Sequence, residues 1–401
     1  MAWPEKRTAR DGKTYYRGRY KDAFGRSQTA PGAERCTSKR EAVRLAREEE
    51  SKIRRGTWVD PTAGKLTVDE YFTKQWLPNR ILEINTRLTY EGHYRESIKP
   101  AFGHLQLRQV TPGMVQSWVT ALAKSGLKPG TVRAKYSVLA SMFDATKGAC
   151  AVRDGYVEQT PCRRIDLPAI PPRTPTIYQP DEVQRLMARL DPWWTPLVAV
   201  DEETGVRWGE LIALRPMDVD ARGQIQVSRT IIEIPKAESG NGTRFKVKGY
   251  PKSRRPRPVA ITPELTDYLI QIAKDRDLAD DDLLFPMPEW NRPRTWHPPW
   301  AVLLTPVRTD VWPDGLPISR SYFRGVWRRA IKNAGVPVRR FHDLRASNIS
   351  WLLAGGADVA TVMQRAGHSQ FRTTQRYTTA LDDTNRRALD ALRRTKEGTG
   401  S

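Results

Sequence analysis

The chain contains 401 residues, of which 67 are Lys or Arg and 45 are Asp or Glu, so its formal net charge is +22. So large a basic surplus favours nucleic acid over membrane as the partner, because neutralising phosphates releases condensed counterions. A hydrophobic content of 39% excludes a wholly disordered basic tail, and no apolar run is long enough to span a bilayer.

The first segment, residues 1–62, predicts a small α+β domain. Residues 14–20 are rich in aromatic side chains interleaved with arginine, which is typical of a strand, and residues 26–29 predict a return strand after a turn. Ser38 and Glu41 have the spacing of a capping box, so a helix is expected over residues 41–55.

The basic and aromatic strand of this segment supplies candidate DNA contacts, which are Tyr15, Arg17 and Arg19. A small sheet with one helix and a basic aromatic face is a plausible DNA-binding surface. The alternative is a solvated basic strand whose tyrosines pack on the helix, and the sequence leaves both open.

The second segment, residues 66–167, predicts an all-α domain. Apolar residues recur at helical spacing after Thr111 and again after Thr131, and these stripes are expected to form a core. The polar faces between the stripes carry Arg133 and Lys135, which are the candidate DNA contacts of this domain.

Prolines punctuate residues 168–175, which are interpreted as a linker. From residue 176 to residue 401, helical and strand patterns alternate and predict a mixed α+β domain that is mainly helical. Within it, residues 286–300 predict an insertion or a long loop, to which we assign no function.

Spaced polar residues in this third segment carry the chemistry. Arg207 and Glu210 stand three residues apart, so on a helix Glu210 would hold the Arg207 guanidinium in a fixed pose. His342 and Arg345 have the same spacing, and His368 follows a helix that ends at Gly367. Tyr377 comes nine residues later. Each piece by itself is weak, but the ordered set is specific.

With these motifs the chain resembles the tyrosine recombinases, the family of phage and mobile-element integrases. The family's arginine box corresponds to residues 207–211 and its histidine box to residues 342–345. The resemblance covers roughly residues 176–395 and rests on the order and separation of the motifs RxxEL, HxxR, GHS and Tyr. Family members also carry a lysine in a β-hairpin turn between the arginine and histidine boxes. Lys252 matches it best, because Lys-Ser or Lys-Thr is usual a few residues before the next strand, and Lys248 is the alternative.

The resemblance implies transfer of a DNA phosphodiester through a 3′-phosphotyrosyl intermediate, with neither a metal nor a cofactor. It assigns Tyr377 as the nucleophile, while Arg207, Arg345 and His368 stabilise the phosphate. Lys252 would protonate the departing 5′-hydroxyl, and His342 would assist proton transfer from the tyrosine. Arginine suits the phosphate role because its guanidinium presents a fork of donors and stays charged at neutral pH.

The three-part layout resembles integrases that carry an N-terminal domain for arm sites. The partner is then double-stranded DNA: residues 1–62 would bind arm sites, residues 66–167 the core site, and residues 176–401 would perform the chemistry. A homotetramer on DNA, a directionality factor and a host DNA-bending protein are further expected partners. A conjugative-transposon recombinase and a catalytically silent regulator with the same fold are the alternatives.

Two further expectations concern the surroundings of the chain and its C-terminus. Cys36, Cys150 and Cys162 form no disulfide framework, and the first thirty residues offer no signal-peptide core, so a cytoplasmic location is expected. No histidine lies between Cys150 and Cys162, which argues against a zinc site. The tail after Tyr377 would dock either on a neighbouring subunit or on its own domain.

Overall fold

The computed structural model describes residues 2–22, 25–55, 58, 65–171, 175–288, 315–368, 370, 371 and 374. The chain divides into two compact units, Met1–Pro171 and Pro172–Ser401. None of the described helices is long and apolar enough to cross a membrane. Tyr377, the tail after it, residues 289–300 of the expected loop and residues 172–174 of the expected linker lie outside the described residues.

The N-terminal part of the first unit is a three-stranded antiparallel sheet with one helix. The elements are β1 (Trp3–Thr8), β2 (Thr14–Lys21), β3 (Ser27–Thr29) and α1 (Lys39–Arg54), and the strand order is β1-β2-β3. Ser38 begins α1 by accepting a hydrogen bond of 3.0 Å from the Glu41 amide, as the capping pattern predicts. β1 was not expected, because its charged residues and Pro4 carry little strand signal and it forms by pairing with β2.

The alternation of β2 places its side chains on two faces. Tyr16 and Tyr20 pack in the small core beneath α1, and Tyr20 is fully buried. Gly18 lies between them, where a Cβ would stand 2.2 Å from the carbonyl oxygen of Ala42, so no larger residue fits under the helix. Tyr15, Arg17 and Arg19 take the alternate positions on the opposite face. Tyr16 and Tyr20 therefore pack on the helix, as one interpretation expects, whereas Tyr15 lies on the face away from it.

The rest of the first unit is helical, as expected. Its helices are α2 (Val68–Glu70), which continues as a π-helix over Tyr71–Trp76, α3 (Ile84–His93), which continues as a π-helix over Tyr94–Ile98, α4 (Lys99–Phe102), α5 (Pro112–Lys124) and α6 (Pro129–Phe143). A 3₁₀ turn spans Leu107–Gln109. The apolar stripes after Thr111 and Thr131 face one core, in which the indoles of Trp76 and Trp118 each donate to a backbone carbonyl.

Lys135 does not lie on an exposed polar face, so the expectation about its position is wrong. The residue is 6% exposed, and its ammonium donates 2.6 Å to Ser97 Oγ and contacts Glu96 at 3.3 Å. Arg133 is half-buried, and its Nε donates 2.8 Å to the carbonyl of Pro168. The two cations lie on different sides of α6, because residues two apart on a helix do not share a face, and each finds an acceptor in a different segment: Lys135 in residues 96–97 and Arg133 in residues 167–168.

The second unit combines helices with two small sheets. Its elements are α7 (Pro180–Met187), α8 (Thr195–Thr204), α9 (Trp208–Leu211), β4 (Val219–Asp220), β5 (Gln224–Val227), β6 (Thr230–Glu233), α10 (Lys236–Ser239), β7 (Phe245–Lys248), β8 (Arg257–Ala260), α11 (Pro263–Asp275), α12 (Arg320–Ala334), α13 (Asp343–Ala354) and α14 (Val359–Ala366). One antiparallel sheet has the order β4-β5-β8, and β6 pairs with β7 in the other.

An aromatic cluster in the core of this unit brings two distant motifs together. Trp208 directly follows Arg207, and Phe341 directly precedes His342. The two rings meet edge to face with their centroids 5.7 Å apart, and both contact Phe323 of α12. Aromatic packing therefore fixes the distance between the arginine box and the histidine box.

Candidate active site

Arg207 and Glu210 form the first pair of the site. Arg207 is extended and immediately precedes α9, where its backbone amide donates 3.1 Å to Glu210 Oε2 and its Nη1 donates 3.0 Å to Glu210 Oε1. The sequence predicted this contact for two residues on one helix face. The contact exists, but Arg207 lies just before the first residue of α9 and Glu210 lies in its first turn. The side chain of Glu210 is only 1% exposed.

Arg345 is the second arginine of the site and lies on α13 with 3% exposure. Its Nη1 donates to the carbonyl of Gly205, which ends α8, and its Nη2 donates 2.6 Å to the carbonyl of Ala366, the last residue of α14. The same Nη2 lies 2.8 Å from His368 Nε2. One guanidinium therefore joins the ends of two helices and the histidine.

The contacts of His368 fix its tautomer. A guanidinium can only donate, so Nε2 accepts from Arg345, and Nδ1 carries the proton that it donates to Thr374 Oγ1 at 2.9 Å. Burial, followed by the charges of Arg345, Arg207 and Arg257, lowers the pKa of His368 to about 4. The ring is therefore neutral at neutral pH.

Three guanidiniums converge on the last turn of α14. Nε of Arg257 donates 2.9 Å to the carbonyl of Arg365, Arg345 donates to the carbonyl of Ala366, and Nη2 of Arg207 donates 2.9 Å to the carbonyl of Gly367. Carbonyls at the end of a helix have no partner within it, so cations there satisfy both hydrogen bonding and the helix dipole.

The end of α8 is bound in a similar way. The side-chain amide of Asn348, on α13, donates to the carbonyls of Glu202 and Glu203 at 2.8 and 2.9 Å. Arg365 donates 2.6 Å to the same Glu203 carbonyl. Because α13 and α14 both bind this end, the loop that carries Arg207 is fixed relative to His368.

Arg257 is a residue that the sequence reasoning missed. It is 5% exposed, and its Nη2 donates 2.8 Å to Glu210 Oε2, so Glu210 lies between two guanidiniums. A signal was present: Arg257 and Val259 of β8 and Ile261 directly after it alternate with exposed residues and are all buried, so the strand period placed Arg257 inward. Although burial opposes ionisation of Glu210, the hydrogen bond from Arg257, with Arg207, lowers the pKa of that carboxyl.

His342 and the two candidate lysines do not belong to the hydrogen-bonded network of the preceding paragraphs. His342 is exposed, and the surrounding protein, followed by the charges of Arg345 and Arg340, lowers its pKa to about 4. Lys252 is exposed in the turn between β7 and β8. Lys248 ends β7, with its ammonium 6.0 Å from the centroid of the Tyr250 ring. Tyr377 lies outside the described residues.

Of the expected site residues, the structure brings Arg207, Glu210, Arg345 and His368 into one connected network. With Arg257 the network holds three guanidiniums, of which Arg207 and Arg257 bind the carboxylate of Glu210 and Arg345 binds the imidazole of His368. Such a cluster favours an anion with several oxygens, because preorganised donors in a partly dehydrated site stabilise negative charge. A phosphodiester has this chemistry.

Comparison with known proteins gives consistent matches. Residues 177–384 match the model of the phage integrase family, and residues 70–123 match the model of the phage integrase N-terminal SAM-like domain. The integrase of Mycobacterium phage L5 is 26% identical over 351 residues, which cover 86% of this chain and 85% of that protein.

Two solved structures share the fold. The Tn1549 transposon integrase in complex with a circular intermediate DNA has a TM-score of 0.60 at 17% identity, covering 81% of this chain and 99% of that chain. The lambda integrase dimer bound to a COC′ core site has a TM-score of 0.52 at 14% identity and covers 93% of each chain. These likenesses confirm the multidomain, mainly helical fold that the sequence predicts.

The lowered pKa of His368 predicts a pH dependence of stability. Between pH 6.5, the ordinary pKa of histidine, and about 4, the unfolded chain binds a proton that the folded chain does not, so the free energy of unfolding decreases as the pH falls. We expect His368→Asn to make this decrease shallower without abolishing it, because the pKa of His342 is lowered in the same direction.

Urea unfolding from pH 7 to pH 4.5, followed by tryptophan fluorescence, measures this difference. His104→Asn is the matched control, because His104 is an exposed histidine of the other unit. Parallel pH profiles for His368→Asn and the unmodified protein would contradict the assignment of a neutral, crowded imidazole.

Proposed function

The chain belongs to the phage integrase family, the tyrosine-type site-specific DNA recombinases, and we propose that it integrates and excises a phage genome by the site residues described above. The convergence of Arg207, Arg345 and His368 on one point carries this proposal. A phosphodiester placed there would meet donors from two guanidiniums that are held by helix-end carbonyls and by Glu210. The enzyme cuts and rejoins DNA, and we propose the role of each site residue in that reaction.

Phosphate binding would change the hydrogen bonds of His368. In the structure, Nε2 accepts from Arg345, whereas a phosphate oxygen needs a donor at that position. A threonine hydroxyl can accept or donate, so Thr374 can support either tautomer of the ring. We propose that the ring proton moves from Nδ1 to Nε2 as the phosphate displaces the Arg345 contact, while Thr374 begins to donate to Nδ1.

The proposed reaction proceeds by attack of Tyr377 Oη on the phosphorus. The bond between phosphorus and the tyrosine oxygen forms while the bond to the 5′-oxygen breaks. His342, neutral at pH 7, takes the phenolic proton, and Lys252 gives a proton to the departing 5′-hydroxyl. The phosphotyrosyl linkage keeps the energy of the broken bond, so a 5′-hydroxyl of a second strand can attack it and complete the exchange.

We propose double-stranded DNA of the attachment region as the substrate. The Tn1549 and lambda integrase structures were determined with DNA bound, which supports this proposal by analogy. Residues 66–167 would bind the core site, residues 168–175 would link this domain to the catalytic residues 176–401, and residues 1–62 would bind arm sites. The described residues of the matched SAM-like region fall inside the proposed core-binding domain.

The open face of the N-terminal sheet supports arm-site binding. Arg17 and Arg35 stack on the Tyr15 ring at 5.8 and 5.0 Å, and Arg19 lies on the same face, held by Thr29 and Ser27 of β3. Cations spread over a flat aromatic sheet face suit a duplex backbone and base edges.

We also propose how the protein assembles and where it acts. Exchange of strands between two duplexes requires four active sites, so we propose a homotetramer on DNA, aided by a directionality factor and a host DNA-bending protein, in the host bacterial cytoplasm. The similarity to the phage L5 integrase over 86% of the chain favours a phage over a conjugative transposon as the carrier. A silent regulator is disfavoured because every box of the site is intact.

Covalent trapping tests the chemistry. The protein is incubated in EDTA with a plasmid library of candidate attachment regions and quenched with SDS, and both the linked peptide and the DNA end are mapped. We expect a 3′ linkage at Tyr377 that forms without metal and is absent in Tyr377→Phe. Sequence-specific binding without an adduct, even on pre-nicked duplexes, would instead identify a silent regulator.

The role of the hairpin lysine is tested by changing the leaving group. We expect Lys252→Ala to slow cleavage of ordinary DNA by about 100-fold, the usual scale of general acid catalysis. A duplex with sulfur at the bridging 5′ position should restore most of the rate, because a thiolate leaves without protonation. Lys248→Ala is the matched control, and a sulfur-rescued loss in that variant would transfer the role to Lys248.

Arm binding is tested through Arg17. Arg17→Ala should weaken binding to duplexes tiled across the trapped attachment region and reduce the dependence of log affinity on log salt by about 1. Arg44→Ala removes an exposed arginine from α1, which packs on the other face of the sheet, and should leave binding unchanged. Equal effects of the two substitutions in fluorescence anisotropy titrations would rule out the sheet face as the arm-binding surface.

A further inference from the structure

Arg257 is the buried centre of the cluster. Its guanidinium makes two contacts of different kinds: Nη2 donates to Glu210 Oε2 at 2.8 Å, and Nε donates to the carbonyl of Arg365 at 2.9 Å. The first contact reaches the carboxylate that holds Arg207, and the second reaches the helix turn that presents His368. One side chain therefore touches the supports of two proposed phosphate-binding residues.

The third nitrogen of this guanidinium is unusual. Nη1 of Arg257 is buried and has no hydrogen-bond partner among the described residues. An unsatisfied buried donor lowers the stability of the folded chain. The side chain is therefore held by the contacts of Nη2 and Nε, and not by Nη1.

Gly367 fits against the flat side of the same guanidinium. A Cβ on Gly367 would stand 3.0 Å from Arg257 Cζ and 3.1 Å from Nη1, and its φ of +66° already favours glycine. The turn that leads to His368 is therefore shaped by Arg257. A shift of this guanidinium would move the Gly367 carbonyl, to which Arg207 donates.

Charge gives Arg257 a second effect. Glu210 offers two carboxylate oxygens, and Arg257 occupies Oε2 while the Arg207 side chain takes Oε1. Without Arg257, Glu210 would have Arg207 as its only arginine partner among the described contacts, and its negative charge would nearly cancel the positive charge of Arg207. With Arg257 present, the cluster keeps an excess of positive charge for a phosphate.

We propose that Arg257 is a positioning residue of the recombinase site, which holds Arg207 through Glu210 and the His368 turn through the Arg365 carbonyl. The inference rests on the proposed roles of Arg207 and His368 in phosphate binding. Arg257 does not itself contact the phosphate, and its loss changes the geometry and charge of the residues that do.

The first test uses cleavage of a pre-nicked duplex that carries the crossover sequence recovered by trapping. Arg257→Gln should slow adduct formation by about 100-fold, the effect expected when catalytic groups are displaced by about 1 Å, while DNA affinity is unchanged. Arg257→Lys keeps the charge but cannot reach both acceptors, so an intermediate loss is expected. The lysine variant also serves as the test if the glutamine variant fails to fold.

Arg229→Lys is the matched control. Arg229 is a half-buried arginine of the second unit whose Nε donates 2.7 Å to the carbonyl of Ala213. Like Arg257 it has an unpartnered buried nitrogen, Nη2, but it makes no described contact with Glu210 or α14. We expect this variant to cleave at the rate of the unmodified protein. An equal loss in both variants would reduce the role of Arg257 to general stability.

Two readouts separate positioning from stability. Because Arg257 acts partly through Arg207, the combined defect of Arg257→Gln and Arg207→Ala should be smaller than the product of the two single defects. The defect of Arg257→Gln should also shrink on a duplex with a neutral methylphosphonate at the scissile position. This group lacks the negative charge of a phosphodiester, so its reaction depends less on a well-placed guanidinium. Additive defects, or equal defects on both duplexes, would overturn the proposal.

A third readout needs no DNA. In ¹⁵N NMR of the full chain, the Nε–H of Arg207 should exchange faster with solvent in Arg257→Gln than in the unmodified protein or in Arg229→Lys. If the unmodified protein forms no adduct, the proposed function fails, and this measurement still decides whether Arg257 orders Arg207. An unchanged exchange rate would overturn the inference even if cleavage occurs.

Discussion

The last turn of α14 depends on three guanidiniums from three different parts of the chain, and the site depends on that turn. Arg257, Arg345 and Arg207 each satisfy one of three consecutive carbonyls, those of residues 365, 366 and 367. The carbonyls need partners because no helical amide follows, and the arginines need acceptors because they are largely removed from water. His368 directly follows the three residues whose carbonyls are bound, so these bonds fix its position.

The same bonds leave the site positively charged. Two of the three guanidiniums, those of Arg207 and Arg257, share a single carboxylate, Glu210. Asp201 is also buried, and burial raises the pKa of its carboxyl. Most of the acceptors are backbone carbonyls, which hold arginines in place without cancelling their charge. An active site for a phosphodiester needs this combination, because rigid donors that retain their charge lose no free energy to reorganisation when the anion arrives.

Sequence patterns were most informative where they reported local structure. Ser38 begins α1 with the predicted side-chain bond, and the stripe after Thr111, which includes Val115 and Trp118, lies in the core. Lys135 was misplaced because a long side chain on a helix can bury its stem and place its charge on an internal acceptor, here Ser97. β1 was missed because its strand conformation comes from β2, and Arg257 because a charged residue in a strand is usually assigned to the solvent.

The sequence by itself determined the class of the protein, the ordered boxes of the site and most of the helices, since these depend on composition, spacing and contacts within a few residues. Only the tertiary structure decided which groups meet. The bond from Arg207 to the Gly367 carbonyl spans 160 residues, and that from Arg345 to Gly205 spans 140. Such contacts have no local pattern, because they form when aromatic packing around Trp208 and Phe341 brings the ends of α8, α13 and α14 to one place.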